Sequence, residues 1–330
     1  MNARYLPRAG AALLLAVTVA VAVALPATTA AAAAGASRRT GPAGVTPSSD
    51  VRAPSAGQAP SGTEPLSRAQ ILAGLQPSSA QPAVTCSSPS GTHRSLAGRL
   101  ARGVSAALRG RSSIVGLAVA DMRTGVTCAL HPGWHFDSAS VVKVTILGAL
   151  LRRLETEHKY LTPAQITLTT EMITESDNDA ASALWAAVGR SHLQQFLDLA
   201  NMRHTVLGEG GYWGLTQITA HDELTLLELL ASKNNVLDTS SRQYALSLMA
   251  RVIPSQRWGT PAGVPAGVKV HVKNGWLPLP TYGWRINSIG SFSGNGRNYM
   301  IVILTKNNPT MDYGVDTIER AAKVINHSLG

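Results

Sequence analysis

Apolar positions along the chain change their spacing from segment to segment, and each spacing predicts an element. SLAGRLARGVSAALRG (95–110) carries them at helical intervals. SIVGLAVADMRTGVTCAL (113–130) reads as two strands around a turn at Asp121–Gly125. In DSASVVKVTILGALLRRLE (137–155) nearly every position from Val141 to Leu151 is apolar, which predicts a helix starting near Ser140 and enclosed by protein on all sides. Short helices follow on either side of Ser176–Asn178, then three amphipathic helices in SHLQQFLDLA, AHDELTLLELLAS and LDTSSRQYALSLMARV. After the Pro/Gly-rich TPAGVPAG come three strand-like runs, VKVHVKNGW, GWRINSIGSF and NYMIVILT, and a closing helix in VDTIERAAKVINHSL. Strands grouped at the two ends around an all-helical middle predict an α+β fold. Its antiparallel sheet is built from both chain ends and a helical lobe packs against it. A cleft between the two is a natural site.

The N-terminal quarter has a different composition. Arg4 and Arg8, the apolar run 10–25 and the small residues after it form a secretory signal peptide over 1–30, with a membrane anchor as the alternative. Residues 31–85 are mostly Ala, Pro, Ser, Gly and Thr, too poor in large apolar side chains to repay ordering, and read as a disordered linker. That leaves one domain over 86–330. Export makes a disulfide between the only two cysteines, Cys86 and Cys128, the expected state, with two separate buried thiols as the alternative. The net charge is +10, but 23 basic and 17 acidic residues lie beyond position 90 without a basic–aromatic block. Nucleic acid is therefore not an expected partner.

One residue conflicts with the buried helix. Lys143 sits in its first turn, where a desolvated ammonium is costly and opposes the helix dipole. Ser140 lies three residues earlier, on the same face, so the amine is expected to reach the hydroxyl. Desolvation lowers a lysine's pKa, which makes it a base for an adjacent nucleophile.

Two later triplets complete a pattern: Ser176-Asp177-Asn178 between helical stretches, and Lys273-Asn274-Gly275 at the end of a strand. Ser-x-x-Lys, Ser-Asp-Asn and a Lys-x-Gly strand in this order resemble the motif set of class A β-lactamases and penicillin-binding proteins. VGLAVADMRTG, QITAHDE and GWRINSIG resemble further parts of that family, from about residue 94 onward. The resemblance implies a β-lactamase/transpeptidase-like fold and a serine hydrolase without a cofactor. Its substrate would be a β-lactam or a peptidoglycan-derived amide, and a monomer is expected. It makes Ser140 the acylated nucleophile, Lys143 its base or proton relay, and Ser176 a proton shuttle, with Lys273 lining the cleft beside Ser176 to polarise it or to bind a substrate carboxylate. Asn178 would bind the substrate amide, while Asp177 holds the loop. The amides of Ser140 and Trp276 would form the oxyanion hole. Gly275 and Asn274 would line the substrate. Arg285 matches a position where relatives bind a substrate carboxylate, or it is a paired surface residue.

The chain also departs from the pattern. Asn274 replaces the usual Thr or Ser, Trp276 is bulky, and LPLPTYG lengthens the next hairpin. The span NMRHTVLGEGGYWGLTQIT is too short for the family's omega loop, whose glutamate activates the hydrolytic water. Glu209 is its one carboxylate, a candidate deacylation base or a solvent-facing loop residue. No metal is expected, since Pro132 and Gly133 break any helical spacing between His131 and His135. His221-Asp222-Glu223 reads as charge complement at a helix start, and Trp185 as core. The expected activity is hydrolysis of β-lactams through a Ser140 acyl-enzyme. The alternative is a slow acylase or sensor that lacks the deacylating group.

Overall fold

A computed structural model describes residues 83–280 and 283–329. The signal-peptide segment, and the linker apart from its last three residues, lie outside the described residues, as do two residues of the LPLPTYG hairpin. Eight strands and eight α-helices occur among those described: β1 (Thr85–Ser87), α1 (Arg94–Leu108), β2 (Ile114–Asp121), β3 (Thr127–Leu130), β4 (Phe136–Asp137), α2 (Val142–Thr156), α3 (Pro163–Thr170), α4 (Asn178–Val188), α5 (Arg190–Leu199), β5 (Gln217–Ile218), α6 (Ala220–Ala231), α7 (Thr239–Ala250), β6 (Lys269–Pro278), β7 (Trp284–Gly294), β8 (Arg297–Asn308) and α8 (Met311–Leu329).

Six strands form one antiparallel sheet in the order β1-β3-β2-β8-β7-β6, which draws on both ends of the described chain. Along β2 and β8 successive side chains enter opposite cores, as strand geometry requires. Leu117, Val119, Ile301 and Ile303 meet Leu100 and Val104 of α1 and Ile318 and Ile325 of α8. Ala118, Met300, Val302 and Leu304 face the other way, into the core formed with α2 and α6. Both faces are covered, so these strands are continuously apolar instead of alternating. Each fully buried Leu, Ile or Val contributes about 1.5–3 kcal/mol. Trp185 lies in the helical core, as expected.

The β2–β3 turn has a local cause. Asp121 Oδ1 accepts from the Arg123 amide, its Oδ2 accepts from Thr124 Oγ1, and Gly125 adopts φ +69°. Cys86 and Cys128 face each other in register on β1 and β3 and form a disulfide. Val84, two residues before Cys86, is buried in the sheet core. The last helix starts four residues before the predicted one. Its Gly314 allows the approach: a Cβ there would lie 2.4 Å from Ile286 of β7. Among the described residues no helix is long and apolar enough to cross a membrane.

Candidate functional site

The nucleophile candidate sits in a turn held from three sides. Ser140 is not the first residue of α2 but the middle of a single 3-10 turn, Ala139–Val141, that precedes it. Ala139 is held at φ +46°, a left-handed conformation that a non-glycine residue adopts only when its surroundings enforce it. Those surroundings are identifiable. On β7, Arg285 donates to Asp137 Oδ2 at 2.7 Å, and Asn287 Nδ2 donates to the carbonyls of Asp137 and Ser138. The Ser138 amide donates to the Thr216 carbonyl. Strand β6, at the sheet edge, passes directly over the turn. A Cβ on Gly275 would lie 2.8 Å from the Ser140 nitrogen and 2.9 Å from the Ser138 carbonyl oxygen. Only glycine permits that approach, which brings the edge strand bearing Trp276 beside the Ser140 amide.

Ser176 is presented by similar means. A five-residue π-type turn (Glu171–Glu175) follows α3 and ends with Ser176 at φ +60°. Asp177 then caps α4, its carboxylate accepting from the Ala180 amide at 2.7 Å. This is the loop-holding contact expected of Asp177.

Two lysines converge on the Ser176 hydroxyl. Lys273 Nζ donates to Ser176 Oγ at 2.9 Å and to the Asn274 carbonyl at 2.8 Å. Lys143 Nζ donates to the Ser176 carbonyl at 2.6 Å, to Ser176 Oγ at 3.2 Å and to Asn178 Oδ1 at 2.8 Å. Burial lowers the Lys143 pKa to about 8, against a smaller opposing pull from the Asp177 carboxylate. Burial also pushes Lys273 well below its usual range, and the nearby Lys143 charge adds to the shift. Two buried amines thus share one hydroxyl, an arrangement through which a proton can pass.

Several expectations need correction. No hydrogen bond joins Lys143 to Ser140 among the described residues; the amine is engaged by Ser176 and Asn178 instead. Arg285 is not presented to a substrate carboxylate. It is buried, ion-paired with Asp137 and bonded to the Gly283 carbonyl. Asn274 is also turned away from a substrate. It is buried, and its Nδ2 donates to the carbonyls of Gln256 and Trp258, while Gln256 Nε2 donates to the Glu175 carbonyl. Asn274 therefore ties β6, through that segment, to the Ser176 turn. Glu209 is exposed, and its side chain makes no bond to the four motif residues. Glu223 is wholly buried, and its carboxyl pKa is raised well above normal by burial and by Asp222, so it does not act as a charge complement.

Sequence reasoning missed Trp213 and Asn287. Trp213 lies in the 200–216 loop, and Lys143 Nζ sits 4.8 Å from its ring centroid. Its Nε1 donates to Ser182 Oγ on α4. Ser138 Oγ also contacts the Trp213 and Gly214 carbonyls at 3.4 Å, so this loop covers both Lys143 and the nucleophile turn. A separate cavity of about 710 Å³, lined by Leu151, Leu154, Tyr160, Ile166 and Tyr244 among others, contains none of the motif residues.

Known proteins resemble this chain. The beta-lactamase enzyme family profile matches residues 162–329, about half of the chain, including the second and third motifs. The chain belongs to the beta-lactamase enzyme family. As a member it is a β-lactamase-type serine hydrolase. No curated protein sequence matches it. Among solved structures, a class A beta-lactamase from Bacteroides cellulosilyticus is similar with a TM-score of 0.61 and 18% identity, covering 70% of this chain and 97% of that one. A beta-lactamase from Sphaerobacter thermophilus gives 0.60 at 19%, covering 68% and 95%. A PBP-A variant, solved as an acyl-enzyme complex with penicillin G, gives 0.60 at 18%, covering 70% and 95%. At these identities the likeness shows the class A β-lactamase fold, which this family member shares.

Proposed function

We propose that this family member is an exported serine acylase that opens β-lactams by forming an ester on Ser140 and releases that ester slowly. The observation that carries the acylation half is the Ser176 hydroxyl, within hydrogen-bonding distance of both Lys143 and Lys273. In the proposed step Ser140 Oγ attacks the lactam carbonyl carbon while its proton passes to neutral Lys143, whose amine turns toward Oγ from its resting contacts with Ser176 and Asn178. The amides of Ser140 and Trp276 receive the developing oxyanion. When the C–N bond breaks, the Lys143 proton passes through Ser176 Oγ to the departing nitrogen, leaving an ester on Ser140 and an opened ring. Lys273 keeps the Ser176 hydroxyl oriented throughout. Asn178, exposed beside Lys143, is available to the substrate amide.

Slow release is supported by the 200–216 loop. It presents an indole to Lys143, and its one carboxylate, Glu209, is exposed. Among the described residues no carboxylate is hydrogen-bonded or ion-paired to Ser140, Lys143, Ser176 or Lys273. The second reading, efficient β-lactam hydrolysis, is favoured by the lowered Lys143 pKa, which would let that amine activate water as well. Export is supported by the N-terminal pattern and by the disulfide. A peptidoglycan-derived amide is the natural counterpart of a β-lactam for such a site.

A chromogenic cephalosporin separates the readings. A burst of about one equivalent followed by slow turnover supports the acylase, whereas rapid linear turnover supports the hydrolase. Absence of both, relative to a Ser140→Ala control, contradicts the proposal.

A further inference from the structure

His204, His221 and Asp222 meet outside the serine site, at the foot of the 200–216 loop. His204 lies in the turn after α5; His221 and Asp222 open α6. Asp222 is fully buried, and its only ion-pair partners among the described residues are the two imidazoles. Its Oδ2 is fixed by the His204 amide at 2.9 Å and by Thr205 Oγ1 at 2.8 Å. Its Oδ1 faces Nδ1 of both histidines at 3.4 Å. The rings stand nearly perpendicular, at 87°, and are 58% and 55% exposed.

These distances fit a shared ion better than direct pairing. Charge-assisted N–H···O contacts close to about 2.7–2.9 Å. Ligands around a tetrahedral zinc at about 2.0–2.1 Å stand about 3.3 Å apart. The three candidate donor atoms lie within 4.8 Å of one another, and rotation of the exposed rings can shorten the remaining edge. The Thr205 hydroxyl and the His204 amide supply the outer-shell bonds that orient a ligating carboxylate. An ion would also give the buried Asp222 charge a cation beside the two imidazoles, its only ion-pair partners among the described residues.

We propose that His204, His221 and Asp222 bind one divalent transition-metal ion, of which zinc is the representative, leaving a coordination position to water. Two imidazoles and one carboxylate select zinc, copper or nickel over calcium or magnesium. The ion would fasten the turn after α5 to the start of α6, and so anchor both ends of the loop that carries Trp213 over Lys143. This departs from the sequence expectation of no metal, and it stands whether the acyl-enzyme is long-lived or short-lived.

The test is calorimetric titration of the full chain, without an affinity tag, with zinc chloride. One saturable site per chain is expected, with melting temperature raised by zinc but not by calcium or magnesium. His204→Ala and His221→Ala should each weaken binding by about tenfold or more, with unchanged circular dichroism, while His327→Ala on α8 binds as wild type. Cobalt provides a check that needs no variant, since a tetrahedral site gives visible ligand-field absorption. No saturable site, equal stabilisation by calcium, or undiminished binding in the His204→Ala/His221→Ala double variant would overturn the proposal.

Discussion

Lys273 Nζ stands 2.9 Å from Ser176 Oγ, and both groups lie between the sheet edge and the helical lobe. A wholly buried amine that spends one hydrogen bond on a half-buried hydroxyl is a costly arrangement for stability alone. Lys273→Met should therefore lower the rate of Ser140 acylation by about 100-fold or more, while its melting temperature stays level or rises. Stopped-flow acylation with a chromogenic cephalosporin and thermal denaturation read the two effects separately. A parallel loss of both would make Lys273 a structural residue.

Lys143 sets the pH dependence. Its folded pKa of about 8 lies below the ordinary lysine value of 10.5 because burial penalises the charged form. If the neutral amine is the base, acylation rises with pH and levels off above about 8. The stability sign follows from the same shift. Between about 8 and 10.5 the unfolded chain binds more protons, so the penalty is full below 8 and is relieved as pH rises through that window. The size is on the order of 3 kcal/mol. The pH profile of acylation and denaturant midpoints at pH 7 and 9.5 check both.

Trp213 helps keep that amine dry. Trp213→Ala admits water beside Lys143, weakens the desolvation that lowers its pKa and moves the acylation midpoint upward, toward the value of a free lysine. A midpoint that stays near 8 would show that the indole has no part in the shift.

The Arg285–Asp137 contact predicts a structural phenotype, not a lost substrate contact. Arg285→Ala leaves Asp137 without its guanidinium and should cost about 3 kcal/mol, because the pair is largely buried. The double variant Arg285→Ala/Asp137→Ala should be less destabilised than the two single effects combined, as chemical denaturation would report. A KM increase with unchanged stability would instead return Arg285 to substrate binding.

The chemistry was more legible in the sequence than its geometry. An apolar run around Lys143 announces a buried amine, and three short motifs keep their order whatever the loops do. The sheet was readable because β2, β6, β7 and β8 are long, and β1 was missed because it spans only Thr85–Ser87. What stayed hidden depends on contacts between distant segments. Asp137 and Arg285 are 148 positions apart, and no local spacing links Trp213 to Lys143. The side chain of Asn274 follows the Gln256 and Trp258 carbonyls, which only the folded loop brings near. Ala139 and Ser176 adopt left-handed backbone without the glycine that normally signals it.

The ester on Ser140 should outlive the chemistry that forms it. Intact-protein mass spectrometry over a time course after mixing with penicillin tests it most directly. A single adduct of the drug's mass is expected, absent in Ser140→Ala, that persists long after free drug is removed. An unmodified mass at every time, or an adduct retained by Ser140→Ala, would contradict it.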